Sequence, residues 1–402
     1  MLYRIIDTAD LPSLIRAFMD SYELVAPVKH GQGYIFDVIE DPHDVVLDYP
    51  TTTLSPKKYF LPPRETLFKF DVESNDVTDF ELDVSPRVIF GMHPCDINAV
   101  NRLDEVFLRG PYPDPYYKAR RETTLIVGVG CMPSANCFCE HMGADEVSFG
   151  YDLFLQNLGD RYWVSISSVA AAEILEESTS LREATDEDRE LFAAATRARR
   201  QAFNRDIPFV QDVAMLMDTY HKDPFWAELG SRCLNCSACA SVCPTCMCFD
   251  IVDELSPDAK TGVRVRTWDS CTDPQFALVT GGHNFREGGR ERVRHRMYHK
   301  LNGYKFKHGS MLCVGCGRCV WALKCSGSSM RRPDNQQSPK PLRAPTLQPV
   351  PPRWQSLKAR FPRMLSSQPS MSSVQVEPLR FADHAKTGAE LMAENPYRPW
   401  PA

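Results

Sequence analysis

The chain has 402 residues, with 43% hydrophobic, 24% charged and 10% aromatic residues, which is close to average globular usage and excludes a fibrous repeat or wholesale disorder. Its net charge of −6 argues against a general nucleic-acid binder, because phosphate neutralisation needs a basic surface. The sequence has no apolar run of the roughly 20 residues that a membrane span requires, and its N-terminus lacks a secretory signal. We therefore expect a cytoplasmic protein.

Residues 1–165 have the pattern of a mixed α/β domain. Apolar runs at 87–91, 125–130 and 162–166 are separated by Gly and Pro and predict strands. The second run ends in two glycines, but the third glycine of the dinucleotide-binding motif GxGxxG is missing. The sequence also contains no phosphate-binding GxxxxGK[ST] loop. We expect an α+β protein with no nucleotide site.

Residues 166–228 predict a helical connector. The stretch 169–203 is rich in Ala, Glu and Arg, and Thr185 precedes three acidic residues, which is the pattern of an N-cap followed by an acidic first turn. A second run with apolar residues at helical spacing, 210–220, leads into a cysteine-rich domain at 229–330.

The C-terminal residues 331–402 predict a disordered, Pro-rich tail. From residue 326 onward the chain holds 13 of its 31 prolines and no cysteine, a composition that resists a packed core. One short helix is expected at about 382–394.

The 15 cysteines are the main anomaly of the composition. An odd number in a chain without an export signal argues against a disulfide framework and favours metal ligation. The strongest pattern is C-x2-C-x2-C-x3-C-P, formed by Cys233, Cys236, Cys239 and Cys243. Three thiolates at this spacing can hold three corners of a [4Fe–4S] cluster, while the Cys before Pro reaches a second one. Zinc is the alternative, but it favours separate C-x2-C pairs.

A second motif supplies the partner cluster. It contains Cys313, Cys316 and Cys319, with Cys325 two residues beyond the place where Cys-Pro is expected. We therefore expect two [4Fe–4S] clusters with crossed ligands, one held by Cys233, Cys236, Cys239 and Cys325, and the other by Cys313, Cys316, Cys319 and Cys243. If Cys325 does not reach, the first cluster takes its fourth thiolate from Cys246, Cys248 or Cys271, or it has only three irons.

Four more cysteines lie upstream, at Cys95, Cys131, Cys137 and Cys139. Their number is what a third [4Fe–4S] cluster requires, although Cys137 and Cys139 are close for two corners of an ordinary loop. The alternative is that they are small buried apolar residues. The histidines are expected to be ordinary surface or core residues; they include His93, His141, His283 and His295.

Several stretches resemble the dicluster iron–sulfur subunit, called beta, of soluble sulfhydrogenase-type nickel–iron hydrogenases. In the cysteine-rich region they are RCLNCSACASVCPTCMCFD, RTWDSC and CVGCGRC. Upstream they are LSPKKYFLPPRETLF, FGMHPCDINAVNRLDEVF and CMPSANCFCEHMG, so that the resemblance covers about residues 20–322. The corresponding iron–sulfur subunit of anaerobic sulfite reductases is similar. The resemblance ends at Val320, which leaves the fourth ligand of one cluster open, and it raises the case for a third cluster.

The resemblance implies an electron-transfer protein without a catalytic site of its own. Its partners would be a catalytic subunit of the nickel–iron hydrogenase type, or in the alternative of the sulfite reductase type, together with a flavin/NAD(P)-binding subunit. From a different class, a zinc-stabilised interaction protein and a stand-alone flavoenzyme are the competing hypotheses. The sequence offers redox ligands without a base–nucleophile pair, which favours electron transfer.

A basic run at 286–308 lies between the two cluster motifs. Charge runs usually form a solvated helix face. Because thiolate-ligated clusters are negative, we expect these cations instead to raise cluster potentials and to guide an acidic partner.

Overall fold

The computed structural model describes residues 2–328, apart from positions 80, 81, 83, 179, 180, 206, 208 and 209, and the side chains of 176–178 and 324–328. Residues 1–331 form one compact unit. The predicted tail and its short helix lie outside the described residues.

The strands are β1 (Leu2–Asp7), β2 (Glu23–His30), β3 (Gly33–Val38), β4 (Arg64–Asp71), β5 (Val77–Asp79), β6 (Arg87–Met92), β7 (Thr124–Val129), β8 (Leu153–Asn157), β9 (Arg161–Ile166), β10 (Phe249–Leu255) and β11 (Thr261–Trp268). The helices are α1 (Leu11–Met19), α2 (Lys57–Phe60), α3 (Pro94–Phe107), α4 (Pro115–Glu122), α5 (Val169–Ser178), α6 (Asp186–Gln201), α7 (Val213–Thr219), α8 (Phe225–Ser231), α9 (Ala238–Ser241), α10 (Gly289–Tyr298), α11 (Tyr304–His308) and α12 (Arg318–Ser328).

The described residues form a seven-stranded sheet of order β1-β9-β8-β7-β6-β2-β3. Its centre is parallel, since β6 pairs in parallel with both β2 and β7, and β7 with β8. Strands β6 and β7 are buried along most of their length, as expected for parallel strands covered on both faces. The three strands predicted from apolar runs are confirmed as β6, β7 and β9.

A smaller sheet joins the cysteine-rich region to the N-terminal part. Its order is β10-β11-β4-β5, with β11 antiparallel to β4. Buried Glu65 accepts hydrogen bonds from Arg120 Nη1 (2.8 Å) and Arg266 Nε (2.7 Å), and Arg266 also pairs with Asp114. The domain limits that we read from composition stay a prediction. This sheet and its charge network join residues of the N-terminal part to residues of the cysteine-rich region.

The predicted connector is helical. Helix α6 begins with the expected capping box, in which the Asp188 amide donates to Thr185 Oγ1 (3.3 Å) and the Thr185 amide donates to Asp188 Oδ2 (2.9 Å). Helix α8 crosses α10 at Gly230, where an added Cβ would lie 2.4 Å from the Arg290 amide nitrogen. The two backbones therefore meet directly. Within the described range, none of the helices is long and apolar enough to span a membrane.

Candidate iron–sulfur centre

The two cysteine motifs lie next to each other, each in a loop that runs into a helix. The first loop leads into α9 and the second into α12, and these helices pack together. The first loop turns at Asn235 and Ser237, which have positive φ angles of 55° and 59°. Two cysteine ligand sets that are separated by about 70 positions in the sequence are thus neighbours in the fold.

Cys243 acts electrostatically on the cysteines of the second motif. The pKa of Cys316 is raised to about 12 and that of Cys319 to about 11, mainly by burial and in smaller part by the charge of Cys243. Burial also raises the pKa of Cys313, with a smaller contribution from Cys243. Because a metal or cluster binds the thiolate, loading these cysteines would release protons.

Main-chain hydrogen bonds hold the start of the second loop. The amides of Leu312 and Cys313 donate to the carbonyl of Lys300 at 3.0 and 3.2 Å. From the other side, buried Arg102 Nη1 donates to the carbonyl of Cys313 (2.6 Å). The loop is therefore held between the end of the basic run and helix α3.

The glycines of CVGCGRC permit a close approach to the upstream cysteine segment. Gly315 has a φ of 64°, and an added Cβ would lie 2.5 Å from the carbonyl oxygen of Phe138. At Gly317, with a φ of 74°, an added Cβ would lie 2.5 Å from the carbonyl oxygen of Asn136. The Phe138 amide donates to the Gly315 carbonyl (2.8 Å). A side chain at either position would therefore displace the backbone of 136–139.

The arginine of the same motif links it to helix α3. Arg318, which is 1% exposed, donates from Nη1 and Nη2 to the two carboxylate oxygens of Asp96, at 2.7 and 2.8 Å. It also donates to the carbonyl of Thr52 (2.9 Å) and to the Thr52 hydroxyl oxygen (2.9 Å). A buried bidentate pair of this kind fixes both partners in position.

Three buried cations surround the segment that follows Cys243. Lys57 Nζ donates to the carbonyl of Cys246 (2.9 Å) and lies 3.7 Å from the centre of the Trp268 ring. Arg296 donates to Cys246 Sγ (3.2 Å) and the Cys239 carbonyl (2.7 Å), and Lys300 Nζ donates to the Thr245 hydroxyl (2.8 Å). Among the described carboxylates, none forms an ion pair with Lys57, Arg296 or Lys300.

Three cations of the basic run are not part of the docking surface that we expected. Arg292 and Arg296 are 5% and 7% exposed, and Lys300 is 7% exposed. Arg292 donates from Nε to Asn235 Oδ1 (3.3 Å) in the first cysteine loop. The expectation was wrong for these three residues because a local charge pattern does not show which surface covers the helix. The Lys57 contact was missed altogether, since it is 189 positions from Cys246.

The four upstream cysteines also come together. Cys95, Cys131, Cys137 and Cys139 line one cavity, and Cys316 of the second motif forms part of its wall. Burial raises the pKa of Cys131 to about 12 and raises that of Cys95 and Cys139 as well. The cavity between these side chains is small, with a volume of about 10 Å³.

The remaining cysteines differ in exposure. Cys236 is exposed, Cys233 is half-buried, and Cys246 and Cys271 are buried. The side chain of Cys325 is outside the described part of the chain, so the fourth ligand of the first cluster stays a prediction. In the described residues, no three Cys, His, Asp or Glu side chains converge as they would on a single metal ion.

Two comparisons identify the family. The model of a 4Fe-4S dicluster domain matches residues 232–327. Over 309 aligned residues the chain is 37% identical to sulfhydrogenase 2 subunit beta of Pyrococcus furiosus. The aligned region covers 77% of this chain and 90% of the relative. The chain belongs to the sulfhydrogenase beta subunit family. This confirms the resemblance and the prediction of an iron–sulfur electron-transfer subunit. No solved structure matches the chain.

The residues present fit the clusters that this family membership implies. Thiolates are the ligands that iron–sulfur clusters need, and thiolate-ligated clusters are anionic. Burial acts to lower the pKa of Lys300, but the thiolates of Cys243 and Cys246 outweigh it and raise that pKa. Burying a cation without a carboxylate partner costs free energy of folding unless another anion lies beside it. A cluster beside Cys243 would provide that anion.

Proposed function

We propose that this chain relays electrons between a nickel–iron hydrogenase-type catalytic subunit and a flavin/NAD(P)-binding subunit in the cytoplasm. In this proposal, one [4Fe–4S] cluster is held by Cys233, Cys236, Cys239 and Cys325, and another by Cys313, Cys316, Cys319 and Cys243. Each bound cluster would accept and release single electrons.

The observation that carries the proposal is the position of Cys243. It follows the first motif in sequence, and its charge raises the pKa of Cys239 in that motif as well as the pKa of Cys313, Cys316 and Cys319 in the second. A cysteine that acts on both motifs supports exchanged ligands of the kind found in two-cluster ferredoxin domains. Clusters with exchanged ligands are close neighbours, as an electron relay needs.

The first loop is the surface at which we expect an electron partner to bind. Cys236 is exposed, and the adjacent Leu234 side chain is 53% exposed. An exposed apolar side chain next to a redox centre can pack against a partner without carrying a ligand role. Arg292 donates a hydrogen bond to Asn235 in this loop.

The proposed relay can be tested in the complex purified anaerobically with its partner subunits. Leu234→Glu should lower the rate of hydrogen-dependent NAD(P)⁺ reduction several-fold without loss of iron, because a charge at the contact weakens association. Val38→Glu is the matched control, since Val38 is 51% exposed on edge strand β3.

Two results would contradict the proposal. One is a chain that purifies with no redox partner and shows no electron exchange with hydrogenase or flavin subunits. The other is an unchanged rate in the Leu234→Glu complex, which would reject this loop as the contact surface.

A further inference from the structure

The cavity lined by the upstream cysteines is at the carboxyl edge of the main sheet. Strands β6 and β7 are parallel neighbours, so their carboxyl ends meet at the same edge. The chain after β6 supplies His93 and Cys95, and the chain after β7 supplies Cys131. Such edges are the usual ligand-binding positions of open α/β sheets.

The wall of this cavity contains an unpartnered polar atom. His93 is 2% exposed, and its Nε2 has no hydrogen-bond partner among the described residues, although the ring lines the cavity beside the thiols. The imidazole stacks on Tyr49, with ring centres 3.9 Å apart, and the Tyr49 hydroxyl donates to the Gly91 carbonyl (2.7 Å). A buried imidazole nitrogen without a partner costs free energy, so a ligand in the cavity would satisfy it.

The arrangement favours a polynuclear cluster over a single ion. Four thiols line the cavity, whereas a single zinc ion would hold its sulfur ligands at a zinc–sulfur distance of about 2.3 Å. Cys95 also lies in the first turn of the 14-residue helix α3, where the helix dipole favours negative charge.

We propose that Cys95, Cys131, Cys137 and Cys139 hold a third [4Fe–4S] cluster, and that His93 Nε2–H donates a hydrogen bond to it. The inference rests on the proposed iron–sulfur function but uses a separate set of cysteines. Cys316 of the second motif forms part of the cavity wall, which places the third site next to that motif. His93 is a positioning and tuning residue in this proposal and not a ligand.

The first test counts iron and acid-labile sulfide in the full chain purified anaerobically. Wild type should hold about twelve irons, and the Cys131→Ser/Cys139→Ser variant about eight, with the spectra of the other two clusters unchanged. Ala144→Ser is the matched control, because it adds a hydroxyl to the same buried cluster of side chains without removing a thiol. It should keep about twelve irons.

The outcomes separate this inference from the proposed function. About eight irons in wild type, with the same content in the double variant, would overturn the third site and leave the relay intact. Zinc bound by these four cysteines would also overturn it. A chain without labile sulfide would instead contradict the proposed function itself.

The second test measures the reduction potential of the third cluster by spectroscopic titration. His93→Phe keeps a ring to stack on Tyr49 but removes the donor, so it should lower that potential, because hydrogen bonds to cluster sulfurs stabilise the reduced state. His93→Gln retains an N–H donor and should therefore keep the reduction potential close to the wild-type value. The exposed His30→Gln is the control and should change nothing. Equal potentials in wild type and His93→Phe would overturn the role of His93.

Discussion

Lys57 is one of the buried cations whose charge can act on a cluster bound at Cys243. It is 3% exposed, contacts the Cys246 carbonyl, and has no carboxylate partner among the described side chains. Burial lowers its pKa, and the thiolates of Cys246 and Cys243 oppose that effect. A positive charge here would favour the reduced, more negative state of a cluster bound at Cys243.

Replacing Lys57 by Met should therefore lower the reduction potential of the cluster at the second motif while the iron content stays the same. An EPR-monitored redox titration measures this change. Lys58→Met is the matched control, because Lys58 donates to the Phe36 carbonyl, away from the cysteines. A potential that does not move in Lys57→Met would show that this charge is screened.

Gly315 and Gly309 offer a paired test of close packing. Both have positive φ angles, 64° and 76°, but an added Cβ at Gly309 meets no atom within 4 Å, whereas at Gly315 it meets the backbone of 138–139. Gly309→Ala should cost only about 1 kcal/mol of unfolding free energy, for backbone strain. Gly315→Ala should in addition displace the second motif and lose part of the iron. Equal iron content and melting temperature in the two variants would contradict the packing of the loop on this segment.

At the scale of elements, the contact between α12 and α3 depends on the Arg318–Asp96 pair. Both side chains are 1% exposed. Removing one partner of a buried pair leaves an uncompensated charge, so Arg318→Leu should destabilise the folded chain by about 3–5 kcal/mol. The double variant Arg318→Leu/Asp96→Leu should recover part of this loss. Anaerobic thermal unfolding measures both, and no recovery in the double variant would indicate that the hydrogen bonds to Thr52 dominate.

Elements with a strong local pattern were predictable from the sequence. The buried strands at β6 and β7 follow from continuous apolar runs, and the start of α6 follows from the Thr185 capping box. The two cysteine motifs are likewise local, because three ligands of one cluster come from one loop. In each case the residues that determine the structure are within a few positions of one another.

Contacts between distant segments were not predictable in this way. The meeting of 315–317 with 136–139 depends on how helices and strands pack, and spacing contains no information about it. The basic run was misread for the same reason, since burial of Arg292 and Arg296 is decided by the cysteine loops that cover them. His93 was interpreted as an ordinary histidine because its unpartnered nitrogen is visible only in three dimensions.

At the scale of the whole molecule, the two sheets bring all the cysteine segments to one region. The main sheet delivers the upstream cysteines at the ends of its parallel strands, and the smaller sheet holds the segment after Cys243 against β4 through β10 and β11. The second motif contacts the upstream segment through its glycines, and the charge of Cys243 acts on its cysteines.

The central claim is that these cysteines hold iron–sulfur clusters that pass electrons. The most direct measurement is combined iron, zinc and acid-labile sulfide analysis of the anaerobically purified full chain, followed by reduction with dithionite. We predict at least about eight irons with matching sulfide, and a brown colour that bleaches on reduction and returns on oxidation. A colourless chain that contains zinc and negligible labile sulfide would contradict the account.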